Sequence, residues 1–243
     1  LVVASEALAA GELTRQDLRR RFVKLHHNVY APQGLPLTAR DRAHAAWLWS
    51  RRTATLAGLS AAAMHGARWL PDDAPAELTR VRSGTALGIT IHRETLFDDE
   101  VCLVQSLDCT TPARTAYDIG RRTPGDEGIV RIDSLLNATR CPVSAVLDIS
   151  ARHPGARGVR RLREALALVD GGAESPPETR VRLLLIRAGL PRPVTQIPIT
   201  NAKGKVVRRI DMGWPEYRVG VEYDGEQHWN DPAIHAEDIT RLE

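Results

Sequence analysis

Residues 178–228 read ETRVRLLLIRAGLPRPVTQIPITNAKGKVVRRIDMGWPEYRVGVEYDGEQH, and their carboxylates fall at spacings that chemistry can use. A helix-like run opens the stretch and two β-like runs follow. Asp211 ends the first of these, VVRRIDM, and Glu222 and Asp224 stand two apart near the end of the second, YRVGVEYDG. Side chains alternate faces along a strand, so Glu222 and Asp224 point one way and Val219, Val221 and Tyr223 the other, toward a core. A hairpin neighbour bearing Asp211 brings a third acid to the same face. Like charges that close repel, so the arrangement calls for a cation. Mg²⁺ fits most simply, because it takes oxygen ligands and few protein carboxylates.

Each acid alone has an ordinary reading. Ser175-Pro176-Pro177-Glu178 is a capping-box pattern, with Ser175 as N-cap, Pro176 at the first helical position and Glu178 at the third. Asp211 reads as a strand-end turn residue and Asp224-Gly225 as a turn. A lone strand glutamate is usually solvated. The triple of Asp211, Glu222 and Asp224 is less easily covered by these readings, and the site reading stands ahead of them.

Ser175–Glu178, AGLPRP at 188–193, Gln196, Asp211, VEYDGEQH at 221–228 and Asp238-x-x-Arg241 together resemble a known domain. It is the small endonuclease-like domain related to very-short-patch repair endonucleases, within the PD-(D/E)XK nuclease superfamily. The resemblance implies a helix bearing Glu178 and a central mixed sheet bearing Asp211, Glu222 and Asp224. It implies phosphodiester cleavage dependent on Mg²⁺ or Mn²⁺, with Asp211 and Glu222 as metal ligands and Glu178 or Asp224 beside them. One position departs from the pattern: Asp224 stands two after Glu222, where many members carry lysine. Lys203, Lys205, Arg208, Arg209 and His228 are candidates to supply that cation. His228 is read as a phosphate contact, a proton shuttle or a structural hydrogen bonder, and Lys205, at a hairpin tip, as meeting DNA or only water.

The 243 residues suggest two domains or slightly more. The expected division is 1–70, a winged helix-turn-helix-like region; 71–170, a middle α+β domain; and 171–243, the restriction-endonuclease-like domain. The fold class is therefore a multidomain α+β or α/β chain. Hydrophobic residues make up 43% of it and aromatics only 5%, so cores rest on aliphatic side chains. A net charge of +3 is compatible with nucleic acid without proving it. The arginine and alanine bias also fits GC-rich coding. Three cysteines, Cys102, Cys109 and Cys141, match no zinc spacing and suggest buried free thiols in a reducing cytosol. No run approaches the ~18 apolar residues of a membrane span, and no signal sequence opens the chain. A cytoplasmic protein with no membrane partner is expected. The chain begins at Leu1 and stops at Arg-Leu-Glu in what reads as mid-helix, so a fragment is expected: either the sequence is incomplete or the last sheet lacks a strand.

Residues 1–33 read as the helices ALAAG and LTRQDLRRRFVKL, then an extended HHNVYAP. Thr14 is the N-cap of the second helix, and Arg19, Arg20, Arg21 and Lys24 form a basic cluster. This order resembles the winged helix-turn-helix that opens abortive-infection (AbiEi-like) antitoxins. The resemblance implies DNA as partner, with the basic helix in the major groove, and admits a toxin partner. An ordinary amphipathic helix is the alternative. Residues 38–66 look helical throughout, and LSAAAMHG resembles a helix of the same antitoxins. His65 reads as a hydrogen-bonded helix-end histidine, not a ligand. Strand patterns follow in LTRVRSG, TALGITIHRE and DEVCLVQSLDC, then a helix starting at Thr111-Pro112 and further helices over 126–148. In the helix of 154–170, Arg160 and Arg161 read either as gripping a phosphate backbone or as a solvated face.

Two functions follow. One is a Mg²⁺-dependent DNA endonuclease with a DNA-binding N-terminal region. The other is a DNA-binding regulator or antitoxin-like protein whose nuclease-like domain is inactive. DNA form, recognition sequence and oligomeric state stay open under both.

Overall fold

The computed structural model describes residues 1–80 and 86–223. The chain forms two compact units, Leu1–Gly171 and Gly172–Glu243.

The first unit opens with β1 (Val2–Val3), α1 (Ala4–Ala9), α2 (Arg15–Arg21), β2 (Phe22–His26) and β3 (Val29–Pro32). The strands make an antiparallel sheet in the order β1-β3-β2. Thr14 caps α2 as expected: its hydroxyl accepts from the Asp17 N–H at 3.1 Å, and Asp17 accepts from the Thr14 N–H at 3.0 Å. The helix expected to reach Leu25 stops at Arg21 instead. Phe22, Val23 and Lys24 pair with Pro32, Ala31 and Tyr30, so these backbone groups are satisfied across a sheet rather than along a helix.

Next come α3 (Ala39–Trp49), β4 (Thr55–Leu56), α4 (Gly58–Met64), β5 (Ala76–Thr79), β6 (Ile89–His92), β7 (Val101–Val104) and β8 (Leu107–Thr110). Residues 38–66 are therefore not helical throughout. Arg51 and Arg52 take left-handed φ values of 61° and 60° just past α3, and Thr55-Leu56 is drawn between β5 and β8. The sheet runs β6-β5-β4-β8-β7, with parallel pairs β5/β6 and β4/β8 and antiparallel pairs β4/β5 and β7/β8. The boundary expected at residue 70 does not divide this sheet, since β4 on one side of it pairs with β5 on the other. DEVCLVQSLDC is a hairpin, not one strand: Gln105 and Ser106 turn at φ 51° and 66°, setting Cys102 opposite Cys109.

Leu56, Leu78 and Cys109 from the sheet pack with Ala43, Ala46, Ala61 and Met64 from the helices, all buried. Alanines at these contacts let backbone approach backbone closely, which is how a core forms with so few aromatics. Four helices complete the unit: α5 (Pro112–Arg122), α6 (Gly125–Thr139), α7 (Val143–Arg152) and α8 (Val159–Leu166). Thr111 caps α5 with Pro112 in its first turn, and Ile129, Ile132, Leu135 and Leu136 of α6 are buried, both as expected. The three cysteines are free, but only Cys109 is buried; Cys102 and Cys141 are half-buried, correcting the expectation.

The second unit holds α9 (Pro176–Arg187), β9 (Val194–Thr200), β10 (Val206–Trp214) and β11 (Val219–Val221). Its described strands pair antiparallel in the order β11-β10-β9, where the resemblance implied a mixed sheet. The chain is thus α+β, and no helix among the described residues is long and apolar enough to cross a membrane.

Candidate functional site

Glu178 enters the site through its cap. The Ser175 hydroxyl donates to one Glu178 carboxylate oxygen at 2.7 Å, and the Glu174 N–H donates to the other at 2.9 Å. The Gln196 amide of β9 reaches the same oxygen at 3.4 Å. Gln196 takes a φ of 53°, an uncommon value for a non-glycine residue within a strand. Burial pushes the Glu178 carboxyl above its ordinary value. The hydrogen bonds from Glu174 and Ser175 work against this rise, and the charges of Asp211 and Glu174 add to it. Cap and site readings therefore describe one residue: Glu178 closes the first turn of α9 and lies within the field of Asp211.

Asp211 does not end its strand, because β10 continues to Trp214. Its carboxylate accepts from the Tyr223 N–H at 2.8 Å. Glu222 lies one residue past β11, and its carboxylate is taken by the Arg208 guanidinium. Gln196 meets Glu178, the Asp211 charge acts on Glu178, and Glu222 is ion-paired with Arg208. Asp224 and His228 lie outside the described residues. Among the described residues no three His, Cys, Asp or Glu side chains gather closely enough to hold a metal ion. The core-facing set of β11 also needs correction, since Val219 and Tyr223 are nearly half exposed. Among the described strands β11 lies at one edge of the sheet, and burial concentrates on β10, between β11 and β9, at Met212 and Trp214. Lys205 is exposed where the chain turns from β9 into β10; its N–H donates to the Asn201 side chain at 3.1 Å.

The basic residues divide by role. Arg19, Arg20 and Arg21 occupy the last turn of α2, and Lys24 lies on β2; all four are exposed. Positive charge in a last helical turn also complements the helix dipole. Arg160 pairs along α8 with Glu164 at 3.1 Å. Arg161 donates to the Arg121 carbonyl at the end of α5 at 3.2 Å, so it holds two helices together.

A second charged constellation escaped the sequence reading. On α5, Arg114, Asp118, Arg121 and Arg122 recur at helical spacing, and the first three are buried. Arg114 Nη2 donates to Glu94 at 2.8 Å, its Nε to Asp118 at 3.2 Å, and its Nη1 to Glu100. Arg121 reaches Glu94 and Asp118, and Arg122 lies 3.1 Å from Glu94. His153 meets Glu100 at 2.7 Å. A stripe of charge at core spacing on α5 was the available signal, but the partner acids arrive from the sheet and its loops.

This constellation predicts a pH dependence. Burial opposes ionisation of Glu94, but the Arg121 hydrogen bond and the charges of Arg122 and Arg121 outweigh it and bring the carboxyl down to about 2. A group whose folded value is depressed contributes stability above its unfolded value and loses it as pH falls through the folded one. The window here runs from about 4.5 down to about 2. The stability difference between the protein and Glu94→Gln should reach at most about 3 kcal/mol near neutrality, Glu94 being partly exposed, and should shrink across that window. Urea titrations at stepped pH measure it; a difference that stays flat refutes the assignment.

No family model matches the chain. Two proteins of Mycobacterium tuberculosis do, the uncharacterized protein MT2308 of strain CDC 1551 / Oshkosh and the uncharacterized protein Rv2248 of strain ATCC 25618 / H37Rv. Each is 31% identical to the chain over 235 residues, covering 94% of this chain and 85% of the relative, so the similarity runs through both units.

Proposed function

Given that the chain belongs to the family of the mycobacterial proteins MT2308 and Rv2248, we propose that it is a metal-dependent DNA endonuclease. In this reading its second unit hydrolyses phosphodiester bonds and its first unit binds DNA. The observation that carries the proposal is the meeting of Glu178 and Gln196 beside Asp211, from a capped helix and two adjacent strands.

The donor set fits Mg²⁺ or Mn²⁺. It consists of carboxylate oxygens, which hard cations prefer, and Asp211 sits near enough to Glu178 to oppose its ionisation, a repulsion that a cation relieves. Asp211 would hold the ion, with Glu178 beside it and Glu222 joining once released from Arg208. When bound, the ion supplies Lewis acidity toward a phosphoryl oxygen and lowers the pKa of a coordinated water. The residues of the chain prepare that chemistry. The Tyr223 N–H fixes the Asp211 carboxylate, Ser175 and Glu174 fix that of Glu178, and Gln196 bridges toward it. Arg19, Arg20, Arg21 and Lys24 supply exposed charge for phosphate contacts that position a duplex.

One observation favours a second reading, a DNA-binding regulator or antitoxin-like protein with an inactive nuclease-like unit. The guanidinium of Arg208 occupies Glu222, one of the two expected metal ligands. Plasmid nicking by the full chain with Mg²⁺ or Mn²⁺, beside Asp211→Asn and Glu222→Gln, separates the readings. The endonuclease requires nicking that falls in both variants by more than the about 10–100-fold cost of losing a supporting group. DNA retarded in a gel but not cut in any form would leave the regulator.

A further inference from the structure

A cavity of about 480 Å³ lies in the first unit, at one end of the five-stranded sheet. β5 and β6 run parallel, and the residues just past their carboxyl ends, Arg80 and Arg93 through Thr95, line it. Ligands of open α/β sheets collect at such strand ends.

Strand alternation builds the polar wall. Leu56 and Leu78 turn into the core, while their neighbours Thr55 and Thr79, directly opposite one another across β4 and β5, line the cavity. Thr79 is only 4% exposed, and its hydroxyl is buried with no hydrogen-bond partner among the described residues. Buried hydroxyls are rarely left so, and one lining a cavity points to a group that enters it.

Charge sets the sign of that group. The acid lining the cavity, Glu94, is already engaged by Arg114, Arg121 and Arg122. Arg93 is exposed and forms no ion pair among the described residues, and the Arg80 guanidinium lies 5.3 Å over the Trp49 ring, which orients it. A guanidinium fork matches phosphate oxygens geometrically. Leu96 and Val101 add an apolar wall.

We propose that this cavity binds a phosphate-bearing small molecule of roughly mononucleotide size. Its phosphate is received by Arg93 and the Thr79 hydroxyl, with Arg80 also in the lining, and its less polar part rests on Leu96 and Val101. The volume lies within the about 300–1,000 Å³ usual for small-molecule sites. Every lining residue belongs to the first unit, and occupancy of the site can be read without any cleavage assay.

Isothermal titration of the full chain with adenosine 5′-monophosphate, and separately with inorganic phosphate, tests the proposal. Saturable binding of at least one probe is expected, weakened about tenfold or more in Arg93→Gln and measurably in Thr79→Val. Valine keeps the shape of threonine and removes only the hydroxyl, and Thr55→Val gives an independent reading of the same wall. No saturable heat with either probe overturns the site. Binding that falls in Arg93→Gln but is unchanged in both valine variants also overturns it, because it would reveal an exposed cation and no built cavity.

Discussion

Arg114→Met is expected to lower the unfolding free energy by about 3–5 kcal/mol, the usual cost of removing one partner from a buried ion cluster. Methionine preserves much of the volume but none of the charge. Glu100 and Asp118, both 0% exposed, would then each lose a guanidinium. The Thr95 carbonyl would lose its donor as well. Compensation is unequal: Asp118 keeps Arg121 at 2.9 Å and Arg122 at 3.2 Å, while Glu100 keeps His153 and Arg152. Adding Glu100→Gln removes the worse-compensated charge, so the double variant should regain part of the loss. Urea denaturation followed by far-UV circular dichroism measures both. A loss below about 1 kcal/mol for Arg114→Met would place the cluster in the solvated class.

Gly158→Ala should be almost as damaging, for a backbone reason. Gly158 precedes α8 with a φ of 88°, and a Cβ there would stand 2.1 Å from the Arg121 carbonyl oxygen. That oxygen also receives the Arg161 guanidinium, so moving it breaks the bond joining α5 to α8. Left-handed strain and overpacking together come to about 2–4 kcal/mol. In a unit of this size that corresponds to a melting temperature lower by about 5–15 °C. Gly34→Ala is the companion measurement. Its φ of 78° carries the strain, but nothing lies within 4 Å of the added carbon. If both variants melt alike, the contact with Arg121 has no weight.

What the sequence disclosed was mostly local chemistry. Thr14, and Thr111 before Pro112, each start a helix where a short-range capping pattern says so. The strands that escaped depend on distant partners. Thr55-Leu56 is too short to announce itself, and only β5 and β8 on either side make it a strand. Phe22–His26 continues a helical pattern until β3 pairs with it. The Gln105-Ser106 turn lacks the glycine or asparagine that usually marks a tight hairpin. The candidate site divides in the same way. The Ser175 cap and the strand carrying Asp211 were legible, so Glu178 and Asp211 could be named. The ion pair of Glu222 with Arg208 was not, because it joins side chains fourteen residues apart across the sheet. On α5 the arginine spacing was open to view, but Glu94 and Glu100 reach it only through the fold.

The hairpin that sets Cys102 opposite Cys109 gives this protein an internal clock. Burial, with the charges of Cys102 and Asp108, pushes the Cys109 thiol up to about 12. Near pH 8 the reactive thiolate fraction is then on the order of 10⁻⁴, so an alkylating reagent finds almost nothing to attack while the sheet is closed. Cys102 and Cys141, only half-buried, are tagged first. Mass accumulating at Cys109 afterwards counts the moments at which the seam between β4 and β8 parts, and reports local opening against time in the otherwise native molecule.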